Sequence, residues 1–179
     1  MKMIALTALC ILLCIGAAAG ASTIDTFLAD FFPGYNTSQK CSRPFSHILV
    51  FGKEGCLLGA GFFSKDVVND IEGFKGPLNL FIGITASGDI SGVAVVSHHE
   101  TPAYARKAFS KELLGQFAGK KTTDPFVAGR DIQAVSGATV SSVALIDTIR
   151  ATVHEAYPRI FKDGICLSDT HSAVQRKKQ

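Results

Sequence analysis

The sequence predicts a single α+β domain: an antiparallel sheet built from two hairpins and packed with helices. Three observations carry that reading. Two pairs of apolar runs are each split by a turn, at Lys53-Glu54-Gly55 and at Ser87-Gly88-Asp89. Near both ends of the chain the apolar residues recur every three or four positions instead. No low-complexity stretch divides the 179 residues, a length that suits one domain with a proper core.

Met1-Lys2-Met3, the apolar run Ile4 to Ile15 and the small residues Gly16 to Ala21 read as a secretory signal peptide over residues 1–21, cut before Ser22. An uncleaved anchor is the alternative, although the apolar run falls short of the roughly 20 residues a spanning helix needs. The domain then occupies 22–160, and 161–179 is a polar tail. "STIDTFLADFFPGY" has Ser22 or Thr23 as cap, with Ile24, Phe27, Leu28 and Phe31 at helical spacing, and it stops at Pro33-Gly34. "FSHILVFGKEGCLLGAGFF" is the first hairpin and "LNLFIGITASGDISGVAVV" the second, joined by the polar connection "SKDVVNDIEGFKGP". Beyond Pro102, Phe109, Leu113, Leu114 and Phe117 suggest one or two short helices, and "TTDPFVAGRD" is loop. From Ser141 the residues Val143, Ile146, Ile149, Val153 and Ala156 mark a long helix that Pro158 ends.

The formal charge of +3 becomes +2 once Lys2 leaves with the signal, and Arg176, Lys177 and Lys178 contribute +3 in the tail, leaving the body near −1. The near-neutral body argues against a nucleic-acid binder. Cys10 and Cys14 also leave, so Cys41, Cys56 and Cys166 remain, enough for one disulfide plus a free thiol or for three buried thiols. With no Cys-x-x-Cys pair, redox chemistry would need an organic cofactor.

Two stretches carry candidate chemistry. "DIQAVSGATVSS", residues 131–142, places Ser136, Thr139, Ser141, Ser142 and Gly137 where a helix begins. Unpaired amides and the positive end of the helix dipole suit a phosphate there. A serine or threonine cap behind a tight turn explains the same residues. "HHETP", residues 98–102, leaves a strand. His98 and His99 are adjacent on extended chain and point to opposite faces, so they do not share one metal ion unaided. A polar strand exit, a metal half-site and a ligand-facing loop remain the readings, and no metal site is expected.

"SGATVSS" preceded by "DIQAV", with "ISGVAVVSHHETPAYA" upstream, resembles the FMN-binding domain family. That family includes the covalent-FMN subunits of sodium-pumping NADH:quinone oxidoreductase and of the Rnf complexes. "FLADFFPGY", "DVVNDIEGFKGPLNLFIGI" and the spacing from "HHE" to "SGAT" are most similar to the extracytoplasmic domain of NosR-type regulators, and the likeness runs over residues 24–157. It implies FMN as cofactor, joined by a flavin transferase through a phosphoester to Thr139. Ser136, Gly137, Ala138 and Ser141 would shape the phosphate turn, and Glu100, Thr101 and Pro102 would lie against the flavin.

This chain departs from the family pattern in three ways. The aspartate three residues before the motif serine is Gln133 here, with Asp131 two residues earlier. Where the family loop reads Glu-Thr-Pro-Gly, this chain has Ala103, and alanine tolerates positive φ poorly, so a loop of different shape is expected. NosR-type proteins continue into membrane helices and iron–sulfur motifs, whereas electrons here are expected to pass to separate membrane or periplasmic proteins. The implied function is an exported, extracytoplasmic electron carrier. No residue pair resembles a substrate-specific acid and base, so no catalytic residue is assigned. The alternatives are a module that binds FMN non-covalently and a small flavin reductase using His98 or His99.

Overall fold

A computed structural model describes residues 23–68, 72–73 and 76–162. The signal-peptide reading, and the tail beyond Lys162, lie outside the described residues. Helix α1 (Thr23–Phe31) leads into strands β1 (Thr37–Cys41), β2 (His47–Phe51) and β3 (Leu57–Phe63). A two-residue ladder of β4 (Glu72–Gly73) with β5 (Gly76–Pro77) interrupts the connection to β6 (Asn79–Thr85) and β7 (Ile90–Ser97). Helices α2 (Pro102–Ala108), α3 (Lys111–Leu114) and α4 (Thr139–Tyr157) follow.

Both expected hairpins form, β2 with β3 and β6 with β7, and β3 pairs with β6 to make one antiparallel sheet in the order β1-β2-β3-β6-β7. The α+β class holds, and the sheet is wider than the sequence reading. Strand β1 is the addition: "TSQKC" lacks an apolar face, and its residues are exposed or half-buried at the sheet edge. Backbone pairing from Thr37↔Phe51 to Cys41↔His47 makes it a strand.

The strands look apolar throughout because both faces are covered. Alternation sends Leu49, Ala60, Phe62, Leu80, Ile82 and Ile84 to one side, where Leu145, Ile146, Ile149 and Val153 of α4 meet them. Ile48, Val50 and Phe81 point the other way, under Leu28 and Phe32 of α1 and the turn after it. Glycines clear the space for α1. A Cβ on Gly61 would stand 2.6 Å from the Phe81 ring and 3.2 Å from Leu28, and one on Gly92 would meet the Phe31 ring.

Pro158 ends the regular helix as expected, but the chain does not leave the body there. Its φ of −61° is helical, so a wider turn continues over Pro158–Lys162 and buries Ile160. Cys41 is disulfide-bonded and Cys56 is free and exposed, so these two do not pair with each other.

Candidate functional site

The chain enters α4 through a four-residue turn in which the Ala138 amide donates to the Val135 carbonyl at 3.1 Å. Gly137 holds its third place at φ +77°, a conformation that favours glycine. Ala138 then occupies the cap position and contributes no side-chain cap. The hydroxyl-cap reading is therefore corrected: the sequence puts hydroxyls on both sides of the cap and none in it.

The hydroxyls divide into two sets. Ser142 is buried, and its Oγ donates to the Ala138 carbonyl at 2.9 Å while accepting from the Val135 amide at 3.3 Å, which ties both ends of the turn. Ser141 is buried too, and its Oγ donates to Glu100 Oε2 at 2.9 Å. Ser136 and Thr139 are less enclosed: Thr139 begins α4 and its hydroxyl, like that of Ser136, makes no hydrogen bond among the described residues. The first intrahelical bond runs from the Ser142 amide to the Ala138 carbonyl. The amides of Thr139, Val140 and Ser141 therefore lack an intrahelical acceptor. Together with the helix dipole, equivalent to about +0.5 charge, they present a surface for an anion.

The Ser141–Glu100 bond unites the two motifs across 41 positions of sequence. Glu100 is buried at 7% exposure, Thr101 takes the cap position of α2, and Pro102 is its first residue, where a missing amide costs nothing. Ala103 is helical, and no positive φ is demanded of it. Removing the hydroxyl with Ser141→Ala is expected to cost about 1–3 kcal/mol, because a buried carboxylate loses a donor. Urea unfolding measures this, and a double-mutant cycle with Glu100→Gln is expected to show coupling between the two.

Sequence reasoning missed three supports of this site. Lys107, in the last turn of α2, brings its Nζ within 3.4 Å of where a Gly137 Cβ would stand. The Gln116 side chain clamps Gln133, accepting from its amide at 2.7 Å and donating to its carbonyl at 3.2 Å. Asp131 accepts from the amides of Phe126 at 3.0 Å and Val127 at 2.6 Å, bracing buried Phe126 at φ +43°. A lysine on an exposed helix, a glutamine and a loop aspartate look like solvated surface in a sequence. Only the placing of Asp131 shortly after Pro125-Phe126 hinted at a local turn.

Those backbone amides, that of Val127 foremost, hold the Asp131 carboxyl below its ordinary value. The native pKa is depressed, so the stabilisation is complete above about pH 4, the unfolded value, and is lost as pH falls through the native one. The melting-temperature gap between wild type and Asp131→Asn is expected to be widest near neutrality and to close in acid.

His98 and His99 follow β7 and are both exposed, with the His98 ring 4.9 Å from that of Phe109. Among the described residues no group of three or more His, Cys, Asp or Glu is placed to hold a metal ion. Among them, too, no helix is long and apolar enough to cross a membrane. Val140 and Tyr104 expose apolar surface on α4 and α2, at 60% and 50%.

The residues fit a phosphate ester at Thr139: a hydroxyl that makes no hydrogen bond among the described residues, amides with no intrahelical acceptor, a glycine in the turn and a nearby cation. Comparison with known proteins matches residues 73–154 to the family described as FMN-binding domain, a span that contains both Glu100 and Thr139. One relative belongs to the proton-translocating ferredoxin:NAD(+) oxidoreductase complex of Clostridium ljungdahlii. It is 31% identical over 90 residues, 47% of this chain and 48% of that protein. Another, from the ion-translocating oxidoreductase complex of Methanosarcina acetivorans, is 33% identical over 84 residues, 45% of each. This chain thus spans about half the length of the curated relatives it matches. The crystal structure of Shewanella oneidensis NqrC aligns at a TM-score of 0.49 and 19% identity, covering 71% of this chain and 68% of that one.

Proposed function

Residues 73–154 match the FMN-binding domain family, and from that premise we propose that the chain is an exported electron-transfer flavoprotein whose FMN is esterified to Thr139. One observation carries the proposal. Of the hydroxyls around the turn, Ser141 and Ser142 are buried and engaged, while Thr139 stands unengaged at the first residue of α4 beside three orphan amides.

FMN, when bound, supplies one- or two-electron transfer, and the protein's residues hold it. The Thr139 hydroxyl provides the anchoring oxygen. With a flavin adenine dinucleotide as donor, the hydroxyl's O–H bond would give way to an O–P bond to the flavin-side phosphorus. AMP would leave as the pyrophosphate bond broke, and the proton would pass to a flavin transferase or to water. The amides of Thr139, Val140 and Ser141 receive the ester's negative charge, and Gly137 leaves room above the turn. Glu100 positions Ser141, hence the first turn of α4, and Val140 and Tyr104 offer apolar surface to the ring system.

A covalent tether suits an extracytoplasmic carrier. Non-covalent occupancy contributes RT ln(1 + [L]/Kd) and vanishes as free FMN is diluted. Export is supported by the signal-like residues 1–21 and by the disulfide at Cys41, since disulfides persist in oxidising compartments. The relatives' names describe parts of ion-translocating oxidoreductase complexes, which supports membrane or extracytoplasmic redox proteins as partners. One observation favours a second reading, a module that holds FMN non-covalently: Gln133 brings no charge where the family has an aspartate.

Unfolding in strong denaturant followed by size exclusion separates the two. Flavin absorbance that travels with the denatured chain, after co-expression with a transferase, is expected. Colour that washes out supports the non-covalent module.

A further inference from the structure

We propose that Lys107 is the counter-cation of the phosphate ester at Thr139, an inference that rests on the covalent-flavin reading above. Three features lead to it. Lys107 Nζ lies against the phosphate turn, 3.4 Å from the point a Gly137 Cβ would occupy. It makes no hydrogen bond or ion pair with the described residues, so its ammonium group is uncommitted among them. A buried carboxylate, Glu100, is bonded to Ser141 only two positions along the helix from Thr139. An ester anion on Thr139 brings a charge that the helix dipole's roughly half charge does not fully offset. A nearby ammonium group does, as a point charge that needs no special geometry.

The local fold explains why this lysine reaches the turn. Pro102 starts α2 immediately after Glu100 and Thr101, so the bond that fixes Glu100 to α4 also fixes the start of α2. Lys107 lies in the last turn of that helix, beside Gly137. A side chain at 137 would crowd the ammonium group and would need the left-handed backbone that Gly137 adopts at φ +77°. The glycine thus serves both the turn and the approach of the cation.

The test is a time course of flavin attachment to the full chain by purified transferase with limiting flavin adenine dinucleotide, followed by intact mass. Lys107→Gln is expected to be modified about tenfold more slowly at low salt, with the deficit narrowing as salt screens the charge. Lys107→Arg is expected to stay within about twofold of wild type, since the positive charge is kept. Arg106→Gln removes the same charge one residue away and is expected to behave as wild type. A phosphorus-31 spectrum of fully loaded protein separates phosphate contact from recognition by the transferase: the ester resonance is expected to move in Lys107→Gln. Equal rates for wild type and Lys107→Gln, or an unmoved resonance, would overturn the role of Lys107 while leaving the ester in place. Wild type that accepts no flavin overturns both.

Discussion

Thr139→Ala is expected to abolish flavin attachment and to leave the fold intact. The side chain is exposed and makes no hydrogen bond among the described residues, and alanine is the better helix former. Stability is therefore expected to stay within about 0.5 kcal/mol of wild type. Loss of the cofactor then reflects loss of one oxygen, not unfolding. Thr139→Ser restores a hydroxyl at the same place and is expected to recover attachment. Ser136 is the internal control: its hydroxyl is also unengaged among the described residues, but it precedes Gly137 in the turn and does not begin the helix. Ser136→Ala is expected to keep its flavin. Retention of covalent flavin by Thr139→Ala, measured by intact mass of the denatured chain, would contradict the assignment.

Gly59→Ala is expected to destabilise the domain by about 3 kcal/mol, near the top of the range for overpacking. A Cβ there would run into the Ile84 carbonyl oxygen on the neighbouring strand and stand 2.7 Å from the Phe32 ring. Neither obstacle is the free end of a flexible chain. The oxygen belongs to the backbone of β6, and Phe32 is 2% exposed beneath the sheet. A domain of this size is expected to lose roughly 6–12 °C of melting temperature. Gly115→Ala is the matched control. At φ −65° and ψ −21°, with nothing within 4 Å of the added methyl group, it is expected to be neutral or to stabilise by about 0.4–1 kcal/mol. Equal melting temperatures for the two variants would refute the close approach of the α1 region to the sheet.

The contrast between these glycines shows what is legible in the sequence. Helices α1 and α4 are readable because their apolar residues repeat with the helical period, and both hairpins because a turn splits a pair of apolar runs. The turn at Ser136-Gly137 is readable because small residues precede a helical pattern. Strand β1 is not, since an edge strand takes its order from backbone pairing and its side chains remain polar. The glycines beneath α1 look like weak strand formers, because a close approach between a helix and a sheet depends on tertiary geometry. Lys107 and Gln116 are invisible for a similar reason: each acts on a residue 17 or more positions away. Glu100 and Ser141 both stand out in the sequence, but their contact does not, and it joins the two motifs.

The most direct test is fragmentation mass spectrometry of the peptide spanning residues 131–150, from protein made in a host that supplies the transferase. The expected result is one FMN less one water, localised to Thr139. An unmodified peptide, or a flavin carried on any other residue, would contradict it.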